Sequence, residues 1–334
     1  MEATRILIDQ LLSGDRRAIA RAISRVENDT AESREILKTV YGRTGRSYRV
    51  GITGPPGAGK STLTNKLAKL YSSQKKKVGI IAVDPTSPFT GGALLGDRVR
   101  MTEVELDEGV FIRSMASRGS LGGLSKRAKE AADILDAAGY DVVLMETVGV
   151  GQSELDIAGA ADTTVVVLVP ESGDGIQAMK AGLMEIADFF VLNKSDRPGA
   201  EQAVMSLKMI LGFRSHTAES WMPDVVQAQA NNGKGIEEVA AFIDRHRSFL
   251  EGNGALEQRR KSRLEARIRE LIDERLHHEF WSRERLSLLH GKLELLLQRQ
   301  SNPYDVVAGL INDFHPRNGN IEDSMDRMTH NSED

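Results

Sequence analysis

The chain has 334 residues, 40% hydrophobic and 28% charged, enough for a large α/β domain with extensions or for two modest domains. Its 44 Lys and Arg against 48 Asp and Glu give a net charge of −4, too balanced to point to nucleic acid or a membrane surface. With no cysteine, disulfides, thiolate zinc sites, iron–sulfur clusters and cysteine nucleophiles are excluded.

No apolar run approaches the ~18 residues of a membrane span. The mixed-charge start, MEATRILIDQ, fits neither a secretory nor an import signal, so a cytoplasmic location is expected. Residues 1–45 predict a helical extension. Ile6, Leu7, Leu11 and Leu12 recur at helical spacing, as do Ala18, Ile19, Ala22, Ile23 and Val26, with Ser13-Gly14-Asp15 as a stop and a cap between them.

From 46 to 252 short apolar runs alternate with amphipathic segments. Strands are predicted over 50–53, 78–83, 110–113, 142–145, 163–169, 189–192 and 225–227. Helices are predicted over 60–72, 123–138, 175–187, 200–211 and 235–249. Such alternation implies an α/β fold, a mostly parallel sheet flanked by helices, with ligands beyond the carboxyl ends of its strands.

Residues 253–315 predict a helical arm. The run 255–300 is rich in helix formers and nearly free of Gly and Pro, which suits one long helix or a helical hairpin. Leu264, Ile268, Leu271, Ile272 and Leu276 step along one face, and Leu286, Leu289, Leu293 and Leu296 along another. Asn302-Pro303 is expected to end the run and 306–314 to form a last short helix, with 316–334 a polar, disordered tail.

The loop Gly54-Pro55-Pro56-Gly57-Ala58-Gly59-Lys60-Ser61 fits G-x-x-x-x-G-K-[ST] in full, follows a predicted strand and opens a helix at Ser61-Thr62. Glycines there let backbone N–H groups turn inward around a β-phosphate, and the helix dipole adds positive potential. Lys60 is expected to reach the β- and γ-oxygens and the Ser61 hydroxyl to bind Mg²⁺. A nucleoside triphosphate is the expected ligand.

Downstream, 189–192 runs into Asn193-Lys194-Ser195-Asp196, an N-K-x-D box at a strand end. A carboxylate accepts two parallel hydrogen bonds. Guanine presents adjacent donors at N1 and N2, whereas adenine has no such pair, so Asp196 would select GTP and GDP. Asn193 would brace the loops and Lys194 lie along the purine face. Read alone, the same four residues also fit a capped turn into the next helix. In the loop 226–231, Gln229 stands where GTPases usually carry Ser, leaving the Ala230 N–H as the expected donor to the base oxygen.

Three carboxylates suit a metal. Asp84 closes the second strand, Asp97 follows the Gly-rich loop 90–96, and Glu146 closes another strand in Glu146-Thr147-Val148-Gly149. Mg²⁺ takes hard oxygen ligands and keeps several waters, a demand that strand-end carboxylates facing the phosphate loop would meet. A Gly149 N–H could grip the γ-phosphate and lose it on hydrolysis, making the next loop a switch. Gln152 could orient the attacking water or be an ordinary loop amide.

With Val150-Gly151-Gln152-Ser153-Glu154 after this motif and Asp84-Pro85-Thr86-Ser87-Pro88-Phe89-Thr90-Gly91-Gly92 before it, the sequence over about 10–315 resembles the MeaB/ArgK family of P-loop GTPases. In that group glutamate replaces the aspartate of the third GTPase motif. The resemblance implies a chaperone of an adenosylcobalamin-dependent acyl-CoA mutase acting on methylmalonyl-, isobutyryl- or 2-hydroxyisobutyryl-CoA. Such a chaperone gates cofactor loading and protects or reactivates the mutase, using GTP hydrolysis that is slow alone and stimulated by the partner. It implies GTP, GDP and Mg²⁺ as ligands, with Lys60, Ser61, Asp84, Asp97 and Glu146 on the phosphates and metal, and Asn193, Lys194 and Asp196 on the base. It further implies a homodimer through the arm and a cobalamin adenosyltransferase as another partner. A third, partner-facing switch falls at 171–180, placing Lys180 with Lys60, Glu146 and Gln152 among the residues of catalysis. Spacing alone makes that segment a βα loop.

Two rival functions share the nucleotide chemistry. A metal-inserting GTPase would need a Cys/His-rich tract, and the seven His are scattered, His277-His278 lying in a charged helix. An ATP-dependent small-molecule kinase would need an acceptor pocket and lid, and the N-K-x-D box argues for guanine instead. The arm's basic residues barely outnumber its acidic ones, weak footing for nucleic acid. Its apolar stripes suit a dimer or partner surface, or packing against the chain's own core.

Overall fold

The apolar runs assemble into one seven-stranded sheet. In the computed structural model, which describes residues 2–84, 107–116, 126–147, 156–172, 181–213, 217, 220–312 and 314, the strands are β1 (Tyr48–Thr53), β2 (Val78–Asp84), β3 (Val110–Ala116), β4 (Val142–Glu146), β5 (Thr163–Leu168), β6 (Phe189–Leu192) and β7 (Val225–Gln227). Their order is β3-β2-β4-β1-β5-β6-β7, and every neighbouring pair is parallel. β3 runs past the predicted 110–113 because its ladder with β2 continues to the pair Asp84–Ala116.

Three helices precede the sheet: α1 (Glu2–Leu12), α2 (Arg16–Glu27) and α3 (Ser33–Val40). Asp15 caps α2, its side chain accepting from the Ala18 N–H at 2.7 Å. Among the described residues five more follow strands: α4 (Lys60–Ser73), α5 (Lys126–Ala137), α6 (Ala181–Ile186), α7 (Ala200–Gly212) and α8 (Ile236–Gly252).

The strands are apolar on both faces because both faces are covered. Val165 and Val167 share a core with Leu63 and Leu67 of α4 and Val239 and Ile243 of α8. Val166 and Leu168, pointing the other way, pack with Leu207 and Leu211 of α7. Farther along that face, Ile81 and Met145 meet Leu135 of α5 together with Leu11, Ile19, Ile23 and Ile36 of the first three helices. Polar clasps reinforce this side. Arg49 donates to Asp133 at 2.6 Å, Arg113 donates to Glu27 at 2.5 Å, and Asp136 accepts the Gly45 and Ser47 N–H groups at 2.7 and 2.9 Å.

The chain divides into two compact units, the first ending at Arg259 and the second beginning at Arg260. The division lies inside α9 (Ala255–Phe280), which is followed by α10 (Arg283–Leu297) and α11 (Pro303–Asn312). Of the two forms expected for 255–300, one long helix or a helical hairpin, the single helix is ruled out by a break at Trp281-Ser282, where the Ser282 hydroxyl caps α10 by accepting from the Arg285 N–H. Asn302-Pro303 starts the last helix rather than only ending the run. The Asn302 side chain accepts from Tyr304 and Asp305, each at 3.0 Å, and proline suits a first helical position. Phe314 then packs on Phe280, with Arg285 over both rings. No helix among the described residues is long and apolar enough to cross a membrane.

Candidate functional site

β1 is the middle strand, and from it the chain first moves to one side of the sheet and later, through β5, to the other. Open α/β sheets bind ligands at such a reversal. The turn from β1 into α4 occupies it.

Two glycines of that turn are fixed by sterics. Gly54 has φ 134°, and a Cβ there would lie 2.1 Å from the Val167 carbonyl oxygen; Gly59 has φ 87°, and a Cβ would meet the Asn193 side-chain nitrogen at 2.3 Å. Lys60 is buried and donates from Nζ to the Gly54 and Pro55 carbonyls at 2.8 and 3.1 Å, spanning the loop it follows. Ala58 is buried beneath the turn, while Pro56 and Gly57 are exposed and Pro55, Ser61 and Thr62 are half-buried.

Ser61 lies in the first turn of α4 with its hydroxyl donating to Glu146 Oε1 at 2.6 Å. Glu146 closes β4 beside β1 and is itself buried. A hydroxyl and a carboxylate converging beside the phosphate loop form a hard-oxygen donor set of the kind Mg²⁺ takes. Asp84 ends β2, two residues beyond Ala82, whose ladder partner is Glu146. Asp97, Gly149, Gln152 and Lys180 lie outside the described residues, as does 173–180 of the expected third switch.

The N-K-x-D box joins this loop directly. Asn193 follows β6 and is buried; its amide donates to the Ala58 carbonyl at 2.8 Å and its side-chain oxygen accepts the Ala230 N–H at 3.0 Å. Lys194, at φ 55°, donates from Nζ to the Gly57 carbonyl at 2.8 Å. Asp196 is exposed and makes no hydrogen bond or ion pair with the described residues. The Ala230 N–H, read as a donor to a base oxygen, here donates to Asn193, because the 3₁₀ turn Ala230–Asn232 points it at that side chain. Gln229 is held by its own turn, its side chain accepting from Asn232 at 3.3 Å and its backbone bridging to Lys234.

The sequence reading passed over two further features. Thr53 and Thr147, both buried, share a 2.8 Å hydroxyl–hydroxyl hydrogen bond at the carboxyl ends of β1 and β4. At the opposite end of the sheet, Asp188 receives Arg259 in a two-pronged contact at 3.0 and 2.8 Å, with His246 at 3.3 Å. Burial pushes the Asp188 carboxyl up, but His246 and Arg259 outweigh it and hold the group below the usual carboxylate range. His246 sits in the apolar repeat of α8, a position that reads as core, and its Nδ1 contacts the Thr163 hydroxyl at 2.7 Å.

Phosphate loop, parallel sheet order and an asparagine that ties the N-K-x-D box to the loop are the marks of a P-loop GTPase. The family model for the methylmalonyl-CoA mutase-associated GTPase MeaB matches residues 19–285, and the chain belongs to that family. A protein of Pyrococcus abyssi named as a GTPase is 48% identical over 314 residues, 92% of this chain and 96% of the relative. The mitochondrial methylmalonic aciduria type A homolog of Mus musculus is 33% identical over 308 residues, 85% of this chain and 73% of that one. The crystal structure of a LAO/AO transport system kinase superposes with a TM-score of 0.72 at 29% identity, covering 93% of this chain and 97% of its own.

Proposed function

We propose that this GTPase is the chaperone of an adenosylcobalamin-dependent acyl-CoA mutase, methylmalonyl-CoA mutase or a close relative. In this reading its nucleotide state gates cofactor loading and protects or reactivates the mutase. Family membership supports the partner class. The observation that carries the nucleotide half is the Asn193 bridge between Ala58 and Ala230, which ties the N-K-x-D box to the phosphate loop, with Asp196 of that box exposed.

The roles follow from the chemistry of each group. Backbone N–H groups from Gly57 to Thr62 wrap the phosphates, and Lys60 exchanges its carbonyl partners for the β- and γ-oxygens. Ser61 and Glu146 would hold Mg²⁺, with Asp84 and Asp97 reaching it directly or through water. When bound, that ion neutralises charge on the β- and γ-phosphates. Asp196 accepts from guanine N1 and N2, Lys194 covers the purine, and Asn193 fixes both loops. Gly149 senses the γ-phosphate, Gln152 orients water, and Lys180 belongs to the partner-facing switch. A cytoplasmic homodimer, joined through the arm and receiving cofactor from a cobalamin adenosyltransferase, completes the reading.

The test is transfer of adenosylcobalamin into apo-methylmalonyl-CoA mutase, followed by absorbance. Transfer is expected to differ when the GTPase carries GDP and when it carries a non-hydrolysable GTP analogue. Identical transfer with either nucleotide, and with none, would refute gating.

A further inference from the structure

We infer that Thr53 and Thr147 act together as a positioning pair that sets Glu146 for the metal; the inference rests on the Mg²⁺ site proposed above. Thr53 is the last residue of β1 and Gly54 starts the phosphate loop. Thr147 directly follows Glu146, the last residue of β4. The β1–β4 ladder pairs Ile52 with Glu146, and the Thr147 N–H donates to the Ile52 carbonyl at 3.1 Å. The hydroxyl bond at 2.8 Å therefore ties the end of β1, where the phosphate loop starts, to the residue that directly follows β4.

Its position bears on geometry rather than on burial alone. Both threonines are fully or almost fully buried, so neither hydroxyl can turn to water if its partner is lost. On one side the pair holds the strand end from which Ser61 is launched through the loop. On the other it holds the backbone of the residue beside Glu146. Ser61 and Glu146 meet at 2.6 Å across that joint. A bond that fixes two strand ends thus also fixes the separation of the two oxygens offered to the metal, as outer-shell partners orient metal ligands elsewhere. Neither threonine is among the groups assigned above to the nucleotide or the metal.

The test uses the full chain and fluorescent GDP. Thr53→Val with Thr147→Val keeps shape and removes both hydroxyls, a replacement that leaves folding stability nearly unchanged. The Mg²⁺ concentration at half-effect on GDP release is expected to rise by about tenfold. GDP affinity in excess chelator should stay within about twofold, since the base and phosphate contacts do not need the pair. Thr53→Ser with Thr147→Ser retains the hydroxyls and is expected to restore the original Mg²⁺ midpoint. A valine pair with an unchanged midpoint overturns the inference and leaves the metal site standing. If the valine pair fails to fold, the serine pair decides, and a midpoint shifted in that chain shows that methyl packing, not the hydroxyl bond, matters. An unmodified protein whose GDP release ignores Mg²⁺ overturns the metal reading and the role of the pair with it.

Discussion

Asn193 does two jobs with one side chain, holding Ala58 of the phosphate loop and Ala230 of the third base loop. Its removal strands a buried carbonyl and a buried N–H. Asn193→Ala should cost about 2–4 kcal/mol of stability in nucleotide-free protein, read by chemical denaturation. Asp196→Ala should behave differently. That carboxylate is exposed, so stability should change little, while calorimetric preference for GTP over ATP falls by about 100-fold as two charge-assisted hydrogen bonds disappear. Equal affinity of the unmodified protein for ATP would revive the kinase reading. At this scale the sequence was readable wherever a motif has a fixed spacing: Lys60, Ser61, Asn193 and Glu146 converge on one loop. It was silent on the Thr53–Thr147 bond and the Ala230–Asn193 bond, because each joins residues far apart in the chain by ordinary side-chain or backbone groups that carry no pattern.

Elements were legible in proportion to their apolar signal. β6 and β7 match their predicted limits, and α4, α7 and α8 begin within a residue of theirs, since a sheet buried on both faces leaves continuous apolar runs. The arm was harder. Helix propensity is high on both sides of Trp281-Ser282, so only the capping geometry of Ser282 marks the break. The anchor formed by Asp188, His246 and Arg259 was invisible for another reason: its members come from the β5–β6 connection, α8 and α9, and each looks commonplace alone. It yields a pH prediction. The folded Asp188 pKa is depressed, so its contribution is fully present above the unfolded value of about 3.9 and is lost as pH falls through the folded value. Asp188→Asn should therefore cost about 3 kcal/mol near neutral pH, with the gap from the unmodified protein closing below about pH 4. A gap that stays constant down to about pH 3 would rule out an ionised Asp188 as the source. Separately, Asp15→Ala should remove the α2 cap and cost about 1 kcal/mol, read by urea denaturation.

The whole molecule consists of a nucleotide-binding unit and a second unit whose helices leave apolar side chains exposed. Ile268 and Ile272 of α9 are 49% and 51% exposed, a turn apart on one face. If the arm joins two copies, light scattering should give twice the chain mass of 36.6 kDa. Ile268→Glu with Ile272→Glu should then give a monomer that still binds GDP, because the base and phosphate loops belong to the other unit. An unmodified protein that stays monomeric at micromolar concentrations would contradict the dimer. Coupling between nucleotide and partner is the larger claim. If a mutase orders the loops around the γ-phosphate, each must bias the other's affinity. Steady-state phosphate release at saturating GTP, with and without methylmalonyl-CoA mutase from the same source, measures that coupling. Slow release alone, rising about tenfold or more when the mutase is added, is the expected result. A rate that methylmalonyl-CoA mutase leaves unchanged would contradict the proposed partnership.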